Sequence, residues 1–410
     1  MNRTRNASNS KDLRVLNRML VLDTIRHNGL IARHEVAKAT GLAAPTVTVI
    51  VNDLIKWNIV HEVGHGESNG GRRPVMLELN SRAAYLFVTR IQRGEILTAM
   101  MDLAGNSLKM QRQALDTTSP EEVVAVIGSS FDRMVADPDI AREKVLWCGV
   151  ASPGLVNSFA GIVERSSNLR WGKIQLAKLL SQRLDGIPVR IENISNAAAL
   201  GEKTFGAGYS CPNLIFLNLS VGIGAGIILN GELFGGARGY AGEIGSARIA
   251  SLPEPDITDS SAKYVTFEEK CGVRAIVEQI KAQVPETVFV DCGISKERVG
   301  VEDIFRPPLL EVPEIQSIIS EASCLVGMKV AELISLFNTE MIILGGELTR
   351  AGNLLLDTVI ATVAANTLKE MRESVKISIS SMREDPALMG AYALVLEQLF
   401  HSETWIGNET

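Results

Sequence analysis

Thr48, Asn52 and Lys56 share one face of the stretch APTVTVIVNDLIKWNIV, residues 44–60, and Thr46 stands near its start. Val47, Ile50, Val51 and Leu54 recur on the other face at i, i+3, i+4 and i+7, the period of an amphipathic helix. Short hydroxyl and amide side chains on the exposed face of such a helix suit hydrogen bonding to base edges in a DNA groove. Arg72 and Arg73 follow Gly70-Gly71, where a pliant backbone can lower guanidinium groups into a minor groove. Other chemistry is poorly provided for. His27, His34, His61 and His65 lie early, His401 lies at the end, and none lies between. A histidine-based metal or acid–base site in the main body is thereby excluded. The five cysteines, Cys148, Cys211, Cys271, Cys292 and Cys324, are scattered without a CxxC pair. They read as small buried hydrophobes rather than disulfides or a metal cluster.

The elements around these residues define a small domain. LRVLNRMLVLDTIRHNG, residues 13–29, carries Leu16, Met19, Leu20, Leu22, Asp23 and Ile25 in helical rhythm and stops at Asn28-Gly29. ARHEVAKATGL, residues 32–42, predicts a short helix with Val36 and Ala37 inward and Gly41 as its left-handed cap. Pro45 suits the first turn of the third helix. Three helices with a glycine-containing turn before the third read as a helix-turn-helix. IVHEVGHGESNGGRRPVMLELN then reads as two strands around a Gly/Ser/Asn tip, a wing.

The whole chain has 410 residues, 46% hydrophobic and 21% charged, which predicts two or three globular domains. Its net charge of −6 conceals an asymmetry: residues 1–80 hold 11 Lys+Arg against 7 Asp+Glu, leaving the rest strongly acidic. A basic head on an acidic body predicts that only the head meets a polyanion. There is no apolar run of bilayer length and no signal-type segment behind the polar start MNRTRNASNSKDLR, so a cytoplasmic protein without a membrane partner is expected.

Beyond residue 80 the pattern changes. AAYLFVTRIQRGEILTAMMDLAGN, VLWCGVASPGLV, VRIENISNAAALGE, LIFLNLSVGIGAGIILNGELF and TEMIILGGELTRAG predict buried strands or strand-turn-helix units. EEVVAVIGSSFDRMVADP and IQSIISEASCLVGMKVAELISLF predict helices between them, hence an α/β architecture. A GxGxG-like piece alone says little, because glycine also serves tight turns and close packing. The ordered set says more: SPG (152–154), SNLRW (167–171), ENISNAAALGE (192–202), SVGIGAG (220–226), GARGYAGEIGS (236–246), IILGGEL (342–348) and PALMGAYAL (386–394). In that order, behind a winged head, the motifs resemble the repressor branch of the ROK family (repressors, open reading frames and kinases) from residue 12 to 398.

The resemblance implies an actin-like, ribonuclease H-like body of two α/β lobes with a cleft between them. It divides the chain into a winged helix-turn-helix at 1–80, a first lobe at 81–200, a second lobe at 201–385 and a returning C-terminal helix at 386–410. In ROK kinases the motif resembling residues 192–196 reads Glu-Asn-Asp-x-Asn, and its Asp takes the proton of the attacking sugar hydroxyl. Here the series is Glu192, Asn193, Ile194, Ser195, Asn196. Isoleucine accepts no proton, so general-base help of roughly 10²–10⁴ in rate is absent. In the register of the first phosphate motif stands RIQRGE, residues 90–95. Arg90 replaces the acidic residue there, and Gln92 and Arg93 occupy glycine positions. The second phosphate motif keeps Gly222 and Gly224 but has Ser220 and Val221 at its start.

The sugar side of the resemblance is better kept. Asn168, Asn193 and Glu243 stand at positions similar to the family's sugar-hydroxyl contacts, and Pro153-Gly154 resembles its substrate loop. Amides and carboxylates suit vicinal hydroxyls because each makes paired hydrogen bonds. A capping role is the competing reading of Asn193. Ser246 replaces the kinases' histidine, which serves sugar and zinc together. No cysteine precedes Cys271 in the following stretch and no histidine occurs there, so no metal and no other cofactor is expected. Glu268 is the candidate for the glutamate that follows the family's zinc segment. The resemblance therefore implies a non-enzymatic, sugar-responsive regulator, a homodimer or homotetramer that binds operator DNA and is released by a sugar or sugar-derivative inducer. The alternatives are an active ROK sugar kinase with an appended DNA-binding domain, and a body that docks another protein.

Overall fold

The computed structural model describes residues 10–66, 73–115, 118–249 and 265–401. Described residues up to Val150, Gln175–Ile191 and those from Ala391 onward form one compact unit, and those of Ala151–Ile174 and Glu192–Gly390 form another. No helix among them is long and apolar enough to cross a membrane.

The first unit begins with α1 (Ser10–Asn28), strand β1 (Ile31–Ala32), α2 (Arg33–Thr40) and α3 (Ala44–Lys56). Strands β2 (Val60–His65) and β3 (Val75–Leu79) follow, and the three strands form an antiparallel sheet in the order β1-β3-β2. Gly41 closes α2 at φ 69°, a left-handed conformation that a Cβ would disfavour. Val47, Ile50, Val51 and Leu54 are the buried face of α3, as their spacing predicts. The face of α1 is a correction. Val15, Val21, Leu22 and Ile25 are buried, whereas Leu16 and Leu20 are 53% and 43% exposed. This helix is apolar on more than one side, so periodicity leaves its orientation open and packing decides it. Arg18 then pins α1 to α3, pairing with Asp53 at 2.8 Å and lying 4.7 Å over the Trp57 ring.

After the wing come β4 (Tyr85–Gln92), β5 (Gly94–Asp102), β6 (Ser107–Leu115), α4 (Pro120–Val135) and β7 (Val145–Ser152). The small hairpin β8 (Leu155–Asn157) and β9 (Ile162–Arg165) precedes α5 (Leu176–Arg183) and β10 (Val189–Asn193). The first five-stranded sheet has the order β10-β7-β4-β5-β6. Pro120 opens α4 behind an N-cap, Ser119, whose side chain accepts the Glu122 N–H. The inner face of α4 buries Phe131 edge-on against Phe87 of β4, with ring centroids 5.3 Å apart. The C-terminal helix (Pro386–His401) returns to this unit with Tyr392 fully buried. Its hydroxyl faces the carbonyls of Asp102 and Leu103, 3.0 Å from each, and interacts with Arg26 near the end of α1. Burial pushes the Tyr392 phenol up, and the guanidinium of Arg26 opposes that shift.

The second unit continues from β10 into α6 (Ile194–Phe205), then β11 (Leu214–Leu219), β12 (Ile223–Leu229) and β13 (Glu232–Leu233). The short strands β14 (Arg248–Ile249) and β15 (Val265–Thr266) lead to α7 (Phe267–Cys271), α8 (Val273–Gln283) and α9 (Glu286–Asp291). The unit is completed by α10 (Pro313–Phe337), β16 (Met341–Gly345), α11 (Asn353–Asn366), α12 (Lys369–Ser374) and β17 (Lys376–Ile379). The second sheet has the order β13-β12-β11-β16-β17, antiparallel at β11/β12 and parallel at β11/β16 and β16/β17. Ile215, Leu217 and Leu344 of this sheet pack in one core with Ile276 of α8 and Ile319 and Val326 of α10. Each such burial contributes about 1.5–3 kcal/mol.

Candidate functional site

Two constellations stand out, one in the head and one in the second unit. In the head, Pro45, Thr48 and Asn52 are exposed on α3 and Thr46 is half-exposed. Thr48 donates its hydroxyl proton to the Ala44 carbonyl at 2.9 Å, leaving its lone pairs outward. Asn52 is not free to swing. Its carbonyl oxygen accepts from Arg33 at 2.9 Å, and Arg33 also pairs with Glu62 of the wing strand at 2.8 Å. The amide nitrogen of Asn52 is thereby turned away from Arg33, presenting a donor. Sequence reasoning missed Arg33. Its place in the first turn of α2, the helix that precedes the turn into α3, was the available signal. Arg73 is exposed just before β3, whereas Arg72 lies outside the described residues.

In the second unit, β10 delivers Asn193 to the start of α6, where it takes the capping role that was the competing reading. The Asn193 carbonyl oxygen accepts the N–H groups of Ser195 (2.7 Å) and Asn196 (3.3 Å), capping the helix. Its amide nitrogen donates to the Gly154 carbonyl at 2.8 Å and to Glu243 Oε1 at 3.3 Å. The cap thus fixes the amide and aims it at the two neighbours. Gly154 is held at φ 109°, and a Cβ there would lie 2.3 Å from the Arg165 carbonyl. Pro153 before it is buried. Behind Asn193, the buried Glu192 carboxylate accepts from Ser158 (2.6 Å), the Asn193 N–H (2.7 Å) and Asn196 (3.0 Å).

Asn168 arrives from the other side. A Cβ on Gly222 would lie 2.6 Å from its amide nitrogen and 3.4 Å from Glu268 Oε2. Glu268, the N2 residue of α7, accepts the Ile223 N–H at 2.9 Å and approaches the Gly245 backbone two residues past Glu243. Asn168, Asn193, Glu243 and Glu268 therefore gather around the Gly154 and Gly222 backbones. Ser246 is exposed, and its hydroxyl donates to the Glu243 carbonyl at 2.8 Å, supporting the turn. Ile194, the first residue of α6, is half-buried beside this group.

The glycines of the second phosphate motif have local occupants. Beside Gly224 stands the Ser195 hydroxyl, 2.6 Å from where a Cβ would be. Gly226 faces the Ser195 carbonyl at 2.2 Å. Gly224, and Gly226 just beyond the motif, thus let α6 close onto β12, which is by itself a reason for glycine at both. In the register of the first motif, Arg90 is buried and bonds to Gln92 and Glu95 of its own hairpin, while Arg112 adds a second contact to Glu95 at 2.6 Å. No group of three or more metal-ligating side chains occurs among the described residues, and residues 250–264 of the zinc-motif stretch lie outside them.

Electrostatics distinguish the two carboxyls of this cluster. Burial, with the charge of Glu268 second, pushes Glu243 up from 4.5 to about 7. Glu268 is also raised by burial, an effect opposed by the Ile223 N–H and assisted by the charge of Glu269. A carboxyl raised on folding stabilises the fold fully below its unfolded value, and that contribution is lost as pH rises through the folded value. Between pH 5 and pH 8 the protein is expected to lose stability relative to Glu243→Gln, by at most roughly 3 kcal/mol. Denaturant unfolding of both proteins across that range measures it, and a difference that stays flat with pH rules the buried carboxyl out.

A family model described as ROK family matches residues 90–398. The chain is 29% identical over 393 residues to a xylose repressor of Caldicellulosiruptor bescii, covering 94% of this chain and 97% of that one. A crystal structure of a ROK family transcriptional regulator, described as a homolog of an E. coli MLC protein, superposes with a TM-score of 0.78 at 25% identity over 96% of this chain and 98% of its own. The ROK glucokinase of Streptomyces griseus, solved with glucose and AMPPNP, matches with a TM-score of 0.63 at 26% identity. That match covers 99% of the glucokinase but 76% of this chain. With the two mixed sheets, the ordered motifs and the match across three quarters of its length, the chain belongs to the ROK family.

Proposed function

We propose that this protein is a sugar-responsive transcriptional repressor whose kinase-like body senses a ligand without transforming it. The observation that carries the reading is Ile194: it directly follows Asn193, whose amide meets Glu243, and an isoleucine side chain accepts no proton. Arg90 locked into its own hairpin and the filled glycines of β12 support the same conclusion. The similarity to a xylose repressor across nearly the whole chain, against a glucokinase match that leaves about a quarter of it uncovered, supports a DNA-binding role for the head.

In this reading a homodimer or homotetramer presents paired heads to a palindromic operator. Pro45, Thr46, Thr48 and Asn52 meet base edges, while Arg72 and Arg73 enter the minor groove. A sugar or sugar derivative is held by Pro153-Gly154, Asn168, Asn193 and Glu243, with Ser246 at the margin. The ligand acts through its differential affinity for two states of the body, and tenfold release of operator needs about 1.4 kcal/mol of coupling. The contact of Tyr392 with Arg26 makes α1 of the head continuous in packing with the C-terminal helix. Neither metal nor nucleotide is required.

The test is release of a labelled operator duplex by a panel of free sugars (xylose, glucose, N-acetylglucosamine), run beside an ATP-consumption assay. Sugar-dependent release without turnover supports the reading, and ATP-dependent phosphorylation of any of them revives the kinase alternative. Replacing Arg72 and Arg73 by alanine is expected to weaken operator binding and to lower the slope of log affinity against log salt by about 1 per contact removed. An unchanged slope takes the wing away from the phosphates and groove.

A further inference from the structure

Val49 of α3 is 62% exposed. It follows Pro45 by four residues and precedes Asn52 by three, so the three side chains share the outer face of the helix. Valine is β-branched and a weak helix former, so neither packing nor helix propensity accounts for it there. Its neighbour Asn52 is clamped. Arg33 donates to the Asn52 carbonyl oxygen at 2.9 Å and to Glu62 at 2.8 Å. Glu62 neutralises the guanidinium, which is thereby spent on holding the side chain rather than on a phosphate. An arginine only donates, so the carboxamide oxygen of Asn52 must face it and the nitrogen must face outward. A free asparagine reads adenine through two bonds, its oxygen accepting from N6 and its nitrogen donating to N7. With the oxygen turned to Arg33, Asn52 offers the groove a donor alone.

We infer that Val49 and Asn52 together read a thymine in each half-site, with Arg33 as the residue that positions the amide. In the major groove a donor meets guanine O6 or N7, adenine N7 or thymine O4, and it is repelled by the N4 amine of cytosine. Among the bases only thymine also carries a methyl group there, on the ring carbon beside the one that bears O4. A donor and an apolar tip one helical turn apart on one face match that pair of groups. Thr48 is no substitute donor, because its hydroxyl proton goes to the Ala44 carbonyl. This inference rests on the DNA-binding reading of the head and adds the base that the head selects.

The experiment selects duplexes from a randomised library with the full chain, then measures anisotropy on the selected duplex with its thymines replaced at one symmetric pair of positions at a time. Deoxyuridine removes the methyl and keeps O4. Methylcytosine, paired with guanine, keeps the methyl and puts an amine where O4 was. At one thymine position, deoxyuridine in both half-sites is expected to weaken binding by about tenfold, and methylcytosine by about tenfold or more. Val49→Ala, an exposed change that leaves the core intact, is expected to bind the thymine and deoxyuridine duplexes within about twofold of each other. Arg33→Met is expected to free the amide and to shrink the methylcytosine penalty by about fivefold or more. Asn52→Asp keeps the Arg33 pairing but turns an acceptor outward, and is expected to prefer methylcytosine to thymine. A merely structural Arg33 would lower affinity for every duplex and leave these ratios alone. Half-sites without a methyl-sensitive thymine, a deoxyuridine penalty that survives in Val49→Ala, or base ratios unmoved in both Arg33→Met and Asn52→Asp overturn the inference while leaving the head a DNA-binding domain. If the full chain selects no duplex at all, the DNA-binding reading falls and this inference falls with it.

Discussion

An Asn193→Asp protein is expected to hold operator DNA within about twofold of the parent affinity and to remain bound at sugar concentrations that release the parent completely. The aspartate keeps what the helix needs: a carboxylate oxygen still accepts the Ser195 and Asn196 N–H groups, and a negative charge at a helix start is favourable. It removes what the proposed ligand site needs. The amide donor that bridges Gly154 (2.8 Å) and Glu243 (3.3 Å) is gone. A third carboxylate also stands beside two others. Losing a hydrogen bond to a charged group and gaining a like charge together predict a loss of sugar affinity of about 100-fold or more. Operator anisotropy under sugar titration measures both quantities at once. Release at the parent's sugar concentration would take Asn193 out of the pocket. Asn193→Ala is the less informative change, because it also loses the cap, worth about 1 kcal/mol.

The second large effect lies where α6 meets the C-terminal helix. Gly390 is a helical residue, and propensity alone predicts that Gly390→Ala stabilises by about 1 kcal/mol. Packing predicts the opposite sign. A Cβ at Gly390 would lie 1.6 Å from the Ala197 carbonyl oxygen and 2.3 Å from its carbon, and one at Gly201 would lie 2.1 Å from the Pro386 carbonyl. Both obstacles are backbone, which cannot rotate out of the way as a side-chain tip can. The two helices would have to separate, and overpacking of that kind costs about 3 kcal/mol or more. Gly390→Ala is therefore expected to lower the denaturant midpoint sharply or to abolish soluble protein. Gly172→Ala, with nothing within 4 Å of the added methyl, is the control and should stay within about 0.5 kcal/mol. A Gly390→Ala protein as stable as the parent would mean that the helices do not cross at this distance.

Local patterns carried the sequence reading furthest. The helix of the head that holds Thr48 and Asn52 was legible because its apolar face repeats at a single period, and its predecessor because Gly41 marks a left-handed stop. The strand-to-helix units of the body were legible from runs of buried residues ending in glycine or asparagine. Reading failed where the signal was degenerate. Leu16 and Leu20 were expected inside, but α1 is apolar on more than one side, and Val15 and Val21 took the interior. Arg33 was overlooked because its partners, Asn52 and Glu62, lie 19 and 29 residues away. The glycines at 222 to 226 look alike in sequence whether they cradle a phosphate or admit a neighbouring side chain.

The amino-acid sequence by itself determined the order of the winged head and α/β body, the loss of the acidic residue at Ile194, and the residue types suited to hydroxyl groups. Those are properties of single positions and short periods, which need no partner to be read. Only the tertiary structure decided that Asn193 caps α6 while its amide donates to Gly154 and Glu243, that Ser195 and Asn168 crowd the glycines of the β12 region, and that Glu243 feels the charge of Glu268. Each of these depends on groups far apart in the chain meeting within hydrogen-bond or Coulomb range. Distance and burial, rather than residue type, set how strongly they act.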